Sequence, residues 1–322
     1  MSSILASLIN TLSKTLIGSL RSFCSGGKDF IKLNPLYGPL LLMGMKCVIS
    51  KVWTVIREIN ENIHTIEISS LRKKYRGDWA FIADISKSYG ASCASLLANN
   101  GYNILTLTPP DSALYEEIKL KERNLEVIKV SPFCSQFDPQ SITKLEEALN
   151  DKTIGIIIMN LFYESPCNFS KEFPIALVGS INACIIKTIL FTETLIKHVK
   201  TQQGKVALLT TGSLLADAAW PGFQVSSGCA KSIEELKANI KEVDTIHIKS
   251  GYVPISLKNS FYLVSKEVEA ERSLMKIGVY NKAFAHYRTR MQMIFHSSKW
   301  GKPNRFAYAR LGLLQRYFGY KP

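Results

Sequence analysis

Trp79-Ala-Phe-Ile-Ala-Asp84-Ile-Ser-Lys-Ser88-Tyr-Gly90 is an apolar run that ends in a polar turn, and helix-compatible sequence follows it to Asn100. A second apolar run, Tyr102 to Leu107, begins just past Gly101. Strand, turn, helix and strand in so short a space read as one βαβ unit. Its two strands must lie parallel, because the helix carries the chain back along the sheet.

Toward the C-terminus the alternation continues. Short β-rich apolar runs at 79–84, 102–107, 125–130, 153–160, 205–210 and 244–249 are separated by amphipathic patterns at 88–100, 112–122, 139–149, 172–198 and 229–242. Strands apolar on both faces, divided by helices, predict an α/β fold with a doubly wound parallel sheet. The domain is expected over 75–260. N-terminal amphipathic and hydrophobic segments (1–74) precede it, with 57–78 reading as a mixed linker. A C-terminal extension (261–322) follows, with a helix near 265–277 and then a basic aromatic tail.

The formal net charge of +14 is uneven. Before Glu58 the sole acid is Asp29, and after Glu271 there is none, so both ends are basic arms around a balanced middle. Such arms suit nucleic acid, anionic lipid or an acidic partner. No nucleic-acid motif accompanies them, and their apolar content points to a membrane surface or to subunits of a membrane-protein complex. Residues 3–23 place Ile4, Leu8, Leu12, Leu16 and Leu20 at helical spacing without an acid, as in a mitochondrial targeting segment, an interfacial anchor or a helix packed on the body. The run 36–56 has roughly the length of a bilayer crossing but contains Lys46 and Lys51. A charge at bilayer centre costs ~2.5–3.5 kcal/mol, so it is a poor isolated span; membrane contact, with both lysines snorkelling from a helix that lies shallow or spans near its end, is favoured over burial against partner proteins. The seven cysteines form no C-x-x-C pair and no cluster with the five histidines. They read as buried reduced thiols, with no metal site.

Four segments point to a family: Gly77-Asp-Trp79-Ala80 opening the first strand, Leu97-Ala-Asn-Asn-Gly101-Tyr-Asn103 at a helix-to-strand turn, Ile181-Asn182-Ala183 within a helix, and Gly204-Lys-Val-Ala-Leu-Leu-Thr-Thr-Gly212-Ser213 ending a strand. Between Tyr75 and Leu257 the sequence resembles the short-chain dehydrogenase/reductase superfamily. Within it, the resemblance is to the membrane-bound branch of 17β-hydroxysteroid dehydrogenase type 12, very-long-chain 3-ketoacyl-CoA reductases and inactive hydroxysteroid dehydrogenase-like proteins. It implies a Rossmann-like domain, and it supplies a pattern against which each site residue is checked.

The family's cofactor loop, T-G-x-x-x-G-x-G, falls on Ala83 to Gly90, where Asp84 and Ser88 replace glycines and Gly90 alone remains. The lost glycines permit a tight turn and bare backbone against a pyrophosphate. Asp84 adds a carboxylate where phosphate charge is expected, and a like charge at ~4 Å costs about 4 kcal/mol at an effective dielectric of ~20. After the second strand, Leu107-Thr-Pro-Pro-Asp111 carries no arginine for a 2′-phosphate, and the family's N-N-x-G becomes Met159-Asn160-Leu161-Phe162.

The resemblance assigns catalysis to a Tyr as general acid/base, a Lys four residues later, a Ser and an Asn. Lys231 and Asn182 match, and Ser213 or Thr211 stands for the serine, but the tyrosine position is Ser227. A serine hydroxyl is shorter and far less acidic than a phenol, so proton donation is lost. The expectation is a catalytically inactive pseudoenzyme without a cofactor, a membrane-associated scaffold or accessory subunit. A mitochondrial membrane is favoured by the acid-poor N-terminus. The alternative is a diverged NADP-dependent ketoacyl or steroid reductase of the endoplasmic reticulum.

Overall fold

The computed structural model describes residues 65–86, 88–130, 138–161, 181–213, 224–236, 243–250 and 264–290, with isolated positions 44, 46, 49, 178 and 240. The chain divides into Met1–Asn60 and Glu61–Pro322. Of the first unit Gly44, Lys46 and Ile49 are described, all helical, so the run 3–23, most of 36–56 and the tail beyond 290 lie outside the described residues. Among the described residues no helix is long and apolar enough to cross a membrane.

The second unit runs α1 (Ile68–Lys74), β1 (Trp79–Ile82), α2 (Ser88–Asn99), β2 (Asn103–Thr106), α3 (Ser112–Leu120), β3 (Leu125–Val127), α4 (Gln140–Leu149) and β4 (Ile154–Met159). A π-helical turn (Asn182–Ile186) then leads into α5 (Lys187–Lys200), β5 (Ala207–Ser213), α6 (Gln224–Leu236), β6 (Asp244–Ser250), α7 (Lys266–Leu274) and β7 (Lys282–Phe284). The strands form one sheet in the order β3-β2-β1-β4-β5-β6-β7, and every pairing is parallel. The order reverses between β1 and β4, which makes their C-terminal ends the crevice of a doubly wound fold.

Burial follows from strand composition. All six residues of β4, Ile-Gly-Ile-Ile-Ile-Met, are buried, as a central parallel strand covered on both faces requires. Alternate side chains feed two cores. Ala80, Ile82 and Ile104 pack with Leu97 of α2 and Leu274 of α7, while Phe81, Leu105 and Ile157 pack with Leu145 of α4 and Phe191 of α5.

Three elements depart from the sequence reading. The linker expected over 57–78 contains α1, whose Leu71 is fully buried together with the adjoining Tyr75. The Tyr75 hydroxyl donates to Asp244 Oδ2 at 2.9 Å, so this segment is part of the domain core. The helix expected at 229–242 begins at Gln224. The stretch after 277, read as tail, forms the edge strand β7, paired through His247↔Lys282 and Lys249↔Phe284. A three-residue strand has no periodicity of its own and exists through pairing with β6.

Much of the basic cluster before β1 is used internally. Arg72 donates to the Gly101 carbonyl, pairs with Asp78 at 3.1 Å and lies over the Tyr102 ring. Gly101 turns α2 into β2 at φ +90°, a conformation that glycine alone enters without strain. Lys74 reaches the Gly278 carbonyl at 3.1 Å and Asp244 at 3.4 Å. The described cysteines, Cys93 and Cys229, are buried and not in disulfides. Burial pushes the Cys93 thiol up to about 12, which keeps it protonated and inert.

Candidate functional site

The crevice is built by the residues that follow β1, β2 and β4. Asp84, just past β1, is fully buried. Its Oδ1 accepts the Ser86 amide at 2.9 Å, the Ser86 hydroxyl at 2.6 Å and the Thr108 hydroxyl at 3.0 Å. Thr108, past β2, in turn accepts the Ile85 amide at 2.8 Å. The aspartate therefore closes an Asx turn on its own loop.

Asn160, past β4, completes the knot from the other side. Its Oδ1 accepts the Asp84 amide at 2.9 Å and its Nδ2 donates to the Asp84 carbonyl at 2.6 Å. Gly90, on the first turn of α2, packs against the same point. A Cβ there would overlap the Asp84 carbonyl oxygen and approach Asn160 Nδ2 to 2.7 Å. The one retained glycine is thus the one that helix–strand packing itself requires.

A pyrophosphate binds such a loop through free backbone N–H groups at a helix N-terminus. Here the amides of Asp84, Ile85 and Ser86 are all taken by side chains of this chain. These three donors are withdrawn from a dinucleotide phosphate. The sequence places the Asp84 charge toward that phosphate; the structure turns it inward, where it accepts from Ser86 and Thr108 instead of facing the phosphate. Lys87, Phe162 and the side chain of Ser88 lie outside the described residues.

The catalytic remnants sit on elements that meet. Helix α6 packs against β5 and against the π-helical turn. Asn182 opens that turn, and its carbonyl accepts the Lys187 amide five residues on. Widened turns of this kind recur at functional sites. Ser213 ends β5 opposite Ser250 of β6, and Ser227 lies in the first turn of α6. Thr211, the other serine candidate, is buried.

Lys231 does not join them. It lies mid-helix, half exposed, and pairs with Glu235 at 3.0 Å and Glu234 at 3.5 Å along α6. The Glu235 hydrogen bond, followed by the Glu234 charge, raises its pKa. A family lysine that lowers the pKa of a tyrosine needs that tyrosine as its neighbour; this one is committed to carboxylates.

Beneath Lys231, Glu234 is nearly buried and receives Lys249 of β6 at 3.1 Å and Lys282 of β7. Burial alone raises its pKa, but the hydrogen bonds and charges of Lys282 and Lys249 outweigh that and hold it at about 2. Also under α6, His247 is fully buried and its Nδ1 meets the Thr210 hydroxyl at 2.9 Å. Among the described residues no His, Cys, Asp and Glu group could hold a metal.

Ser86 and Thr108 were absent from the candidate residues, although Asp-x-Ser at the end of a strand is an Asx-turn signal.

No protein-family model matches the chain. Among curated proteins it is 26% identical over 180 residues to a very-long-chain 3-oxoacyl-CoA reductase of Emericella nidulans, covering 54% of this chain and 51% of that one. It is 28% identical over 151 residues to an inactive hydroxysteroid dehydrogenase-like protein 1 of Pongo abelii, covering 45% of each. The matches thus span about half the length of these relatives. Among solved structures, one of a 7β-hydroxysteroid dehydrogenase aligns with a TM-score of 0.62 at 16% identity over 74% of this chain and 98% of that one. A 3-oxoacyl-[acyl-carrier protein] reductase from Brucella melitensis aligns with a TM-score of 0.54 at 12% identity, over 66% and 96%. With the seven-stranded parallel sheet, these named relatives and the solved neighbours in agreement, the chain is similar in sequence and in fold to the short-chain dehydrogenases/reductases.

Proposed function

We propose that this protein is a catalytically inactive short-chain dehydrogenase-like scaffold, a membrane-associated accessory subunit. The observation that carries the proposal is the self-satisfied loop: the amides of Asp84, Ile85 and Ser86 are bonded to Asn160, Thr108 and Asp84 itself. Ser227 in the tyrosine position and Lys231 paired with Glu235 point the same way. A relative named as inactive supports the reading. The basic, apolar ends suit a membrane or membrane-protein subunits, and the acid-poor N-terminus favours a mitochondrial inner-membrane complex of respiratory type. Calorimetric titration of the purified full chain with NADPH tests the reading. No saturable heat is expected, and micromolar affinity would overturn it.

The second reading is a diverged NADP(H)-dependent 3-ketoacyl-CoA or hydroxysteroid reductase of the endoplasmic reticulum. The retained Asn182 and Lys231 and the relatives named as 3-oxoacyl-CoA reductases favour it. It requires cofactor binding, so the same titration separates the two.

A further inference from the structure

At the N-terminal edge of the sheet, opposite the crevice, Trp79, Tyr115, Lys119, Arg123, Asn124 and Lys152 help to line an open cavity of about 710 Å³. Sites that hold small organic ligands run ~300–1,000 Å³. Tyr115 and Lys119 lie one turn apart on α3, and Arg123 follows past the helix end, where Glu122 takes a positive φ of 54° and turns the chain. Asp151, which with Glu126 supplies the acids of the lining, takes a positive φ of 62° just after α4.

The lining divides into committed and uncommitted groups. Lys152 is committed, paired with Glu126 at 3.0 Å and seated over the Trp79 ring. Lys119 and Arg123 pair with no acid among the described residues, and the Arg123 Nε is buried without a hydrogen-bond partner. Lys119 has a structural use, since a cation in the last turn offsets the helix dipole. Arg123 lies beyond the helix and has no such use, and a buried guanidinium N–H left unmet is costly. A guanidinium edge is best met by two oxygens of one anion. The Tyr115 ring is half exposed beside it, an open face for a flat ring, and Asn124 adds an amide to the lining.

We infer that this cavity is a binding site for an aromatic phosphomonoester of nucleoside monophosphate size. Arg123 and Lys119 hold the phosphate and Tyr115 stacks on the ring. The site is separate from the remnant crevice and does not depend on its chemistry.

The test is calorimetry on the full chain in mild detergent with adenosine 5′-monophosphate as the probe. Inorganic phosphate lacks the ring and adenosine lacks the anion, and each is expected to bind about tenfold more weakly or worse. Arg123→Gln should weaken binding of the monophosphate about tenfold. Lys119→Ala, a change at an exposed helix position that the fold tolerates, should weaken it severalfold. Asp84→Asn, in the crevice, should leave it unchanged. No heat up to about 5 mM monophosphate would overturn the inference. So would binding that survives both Arg123→Gln and Lys119→Ala. Binding lost in Asp84→Asn would place the nucleotide in the crevice, overturning this inference and counting against the scaffold reading as well.

Discussion

Glu234 Oε2 lies 3.1 Å from Lys249 Nζ, and both side chains are almost wholly withdrawn from solvent where α6 meets β6. The pair ties the helix that carries Ser227 and Lys231 to the sheet. Removing one partner of a buried pair costs about 3–5 kcal/mol, because the other charge stays buried. Glu234→Ala should therefore lower unfolding free energy by about that much in a urea titration. Adding Lys249→Met should recover most of the loss, and a double variant no better than the single one would contradict the pairing.

Acid should weaken the fold in two windows. Burial, followed by the charges of Arg288, Arg272 and Lys276, lowers His286 from 6.5 to about 4, with Glu269 opposing. Between those values the unfolded chain binds the proton first, so this contribution is complete above pH 6.5 and is lost as pH falls toward 4. Glu234, held at about 2 against an ordinary 4.5, contributes fully above pH 4.5 and is lost as pH falls toward 2. Melting temperature measured against pH should lose its slope in the upper window in His286→Gln. A slope unchanged there would assign it to other groups.

Ser227→Tyr should yield no reductase activity with NADPH and a 3-ketoacyl-CoA. The loop donors remain spent and Lys231 remains paired with Glu235. Turnover in this single variant would mean that the pocket is intact and that the enzyme reading is right.

Asp84→Gly restores the family's first glycine but removes the acceptor for Ser86 and Thr108. The loss of buried hydrogen bonds should destabilise by about 1–3 kcal/mol. Asp84→Asn keeps an acceptor oxygen and should cost less. Equal melting temperatures for the two variants would argue against the Asx turn.

Gly90→Ala forces a methyl group onto the Asp84 carbonyl. Overpacking of this kind costs ~1–3 kcal/mol. The loss should appear in thermal melts whether or not NADPH is present, whereas a glycine kept for a cofactor would leave the melt intact.

Six strands were legible as apolar β-rich runs because a parallel sheet buries both faces of each strand, and β4 is the clearest case. β7 was not legible, because Lys282-Ala-Phe284 becomes a strand only beside His247, Ile248 and Lys249. The early start of α6 was hidden by Ser226, Ser227 and Gly228, residues that weaken a helix taken by itself and that tertiary packing overrides. At the site, the substitutions at 84, 88 and 227 could be read from the sequence, but their geometry could not. Whether Asp84 faces outward or folds back depends on Thr108 and Asn160, which reach it from 24 and 76 residues away.

The knot at Asp84 also bears on how long the molecule lasts. A fold whose loop waits for a ligand is held together partly by mass action, and its folded fraction follows the ligand's concentration. The Asp84, Ile85 and Ser86 amides are already met by Asn160, Thr108 and Asp84, so this part of the loop is held by the chain's own side chains. On the scaffold reading, its abundance would be indifferent to the supply of dinucleotide and would follow the supply of the subunits it binds.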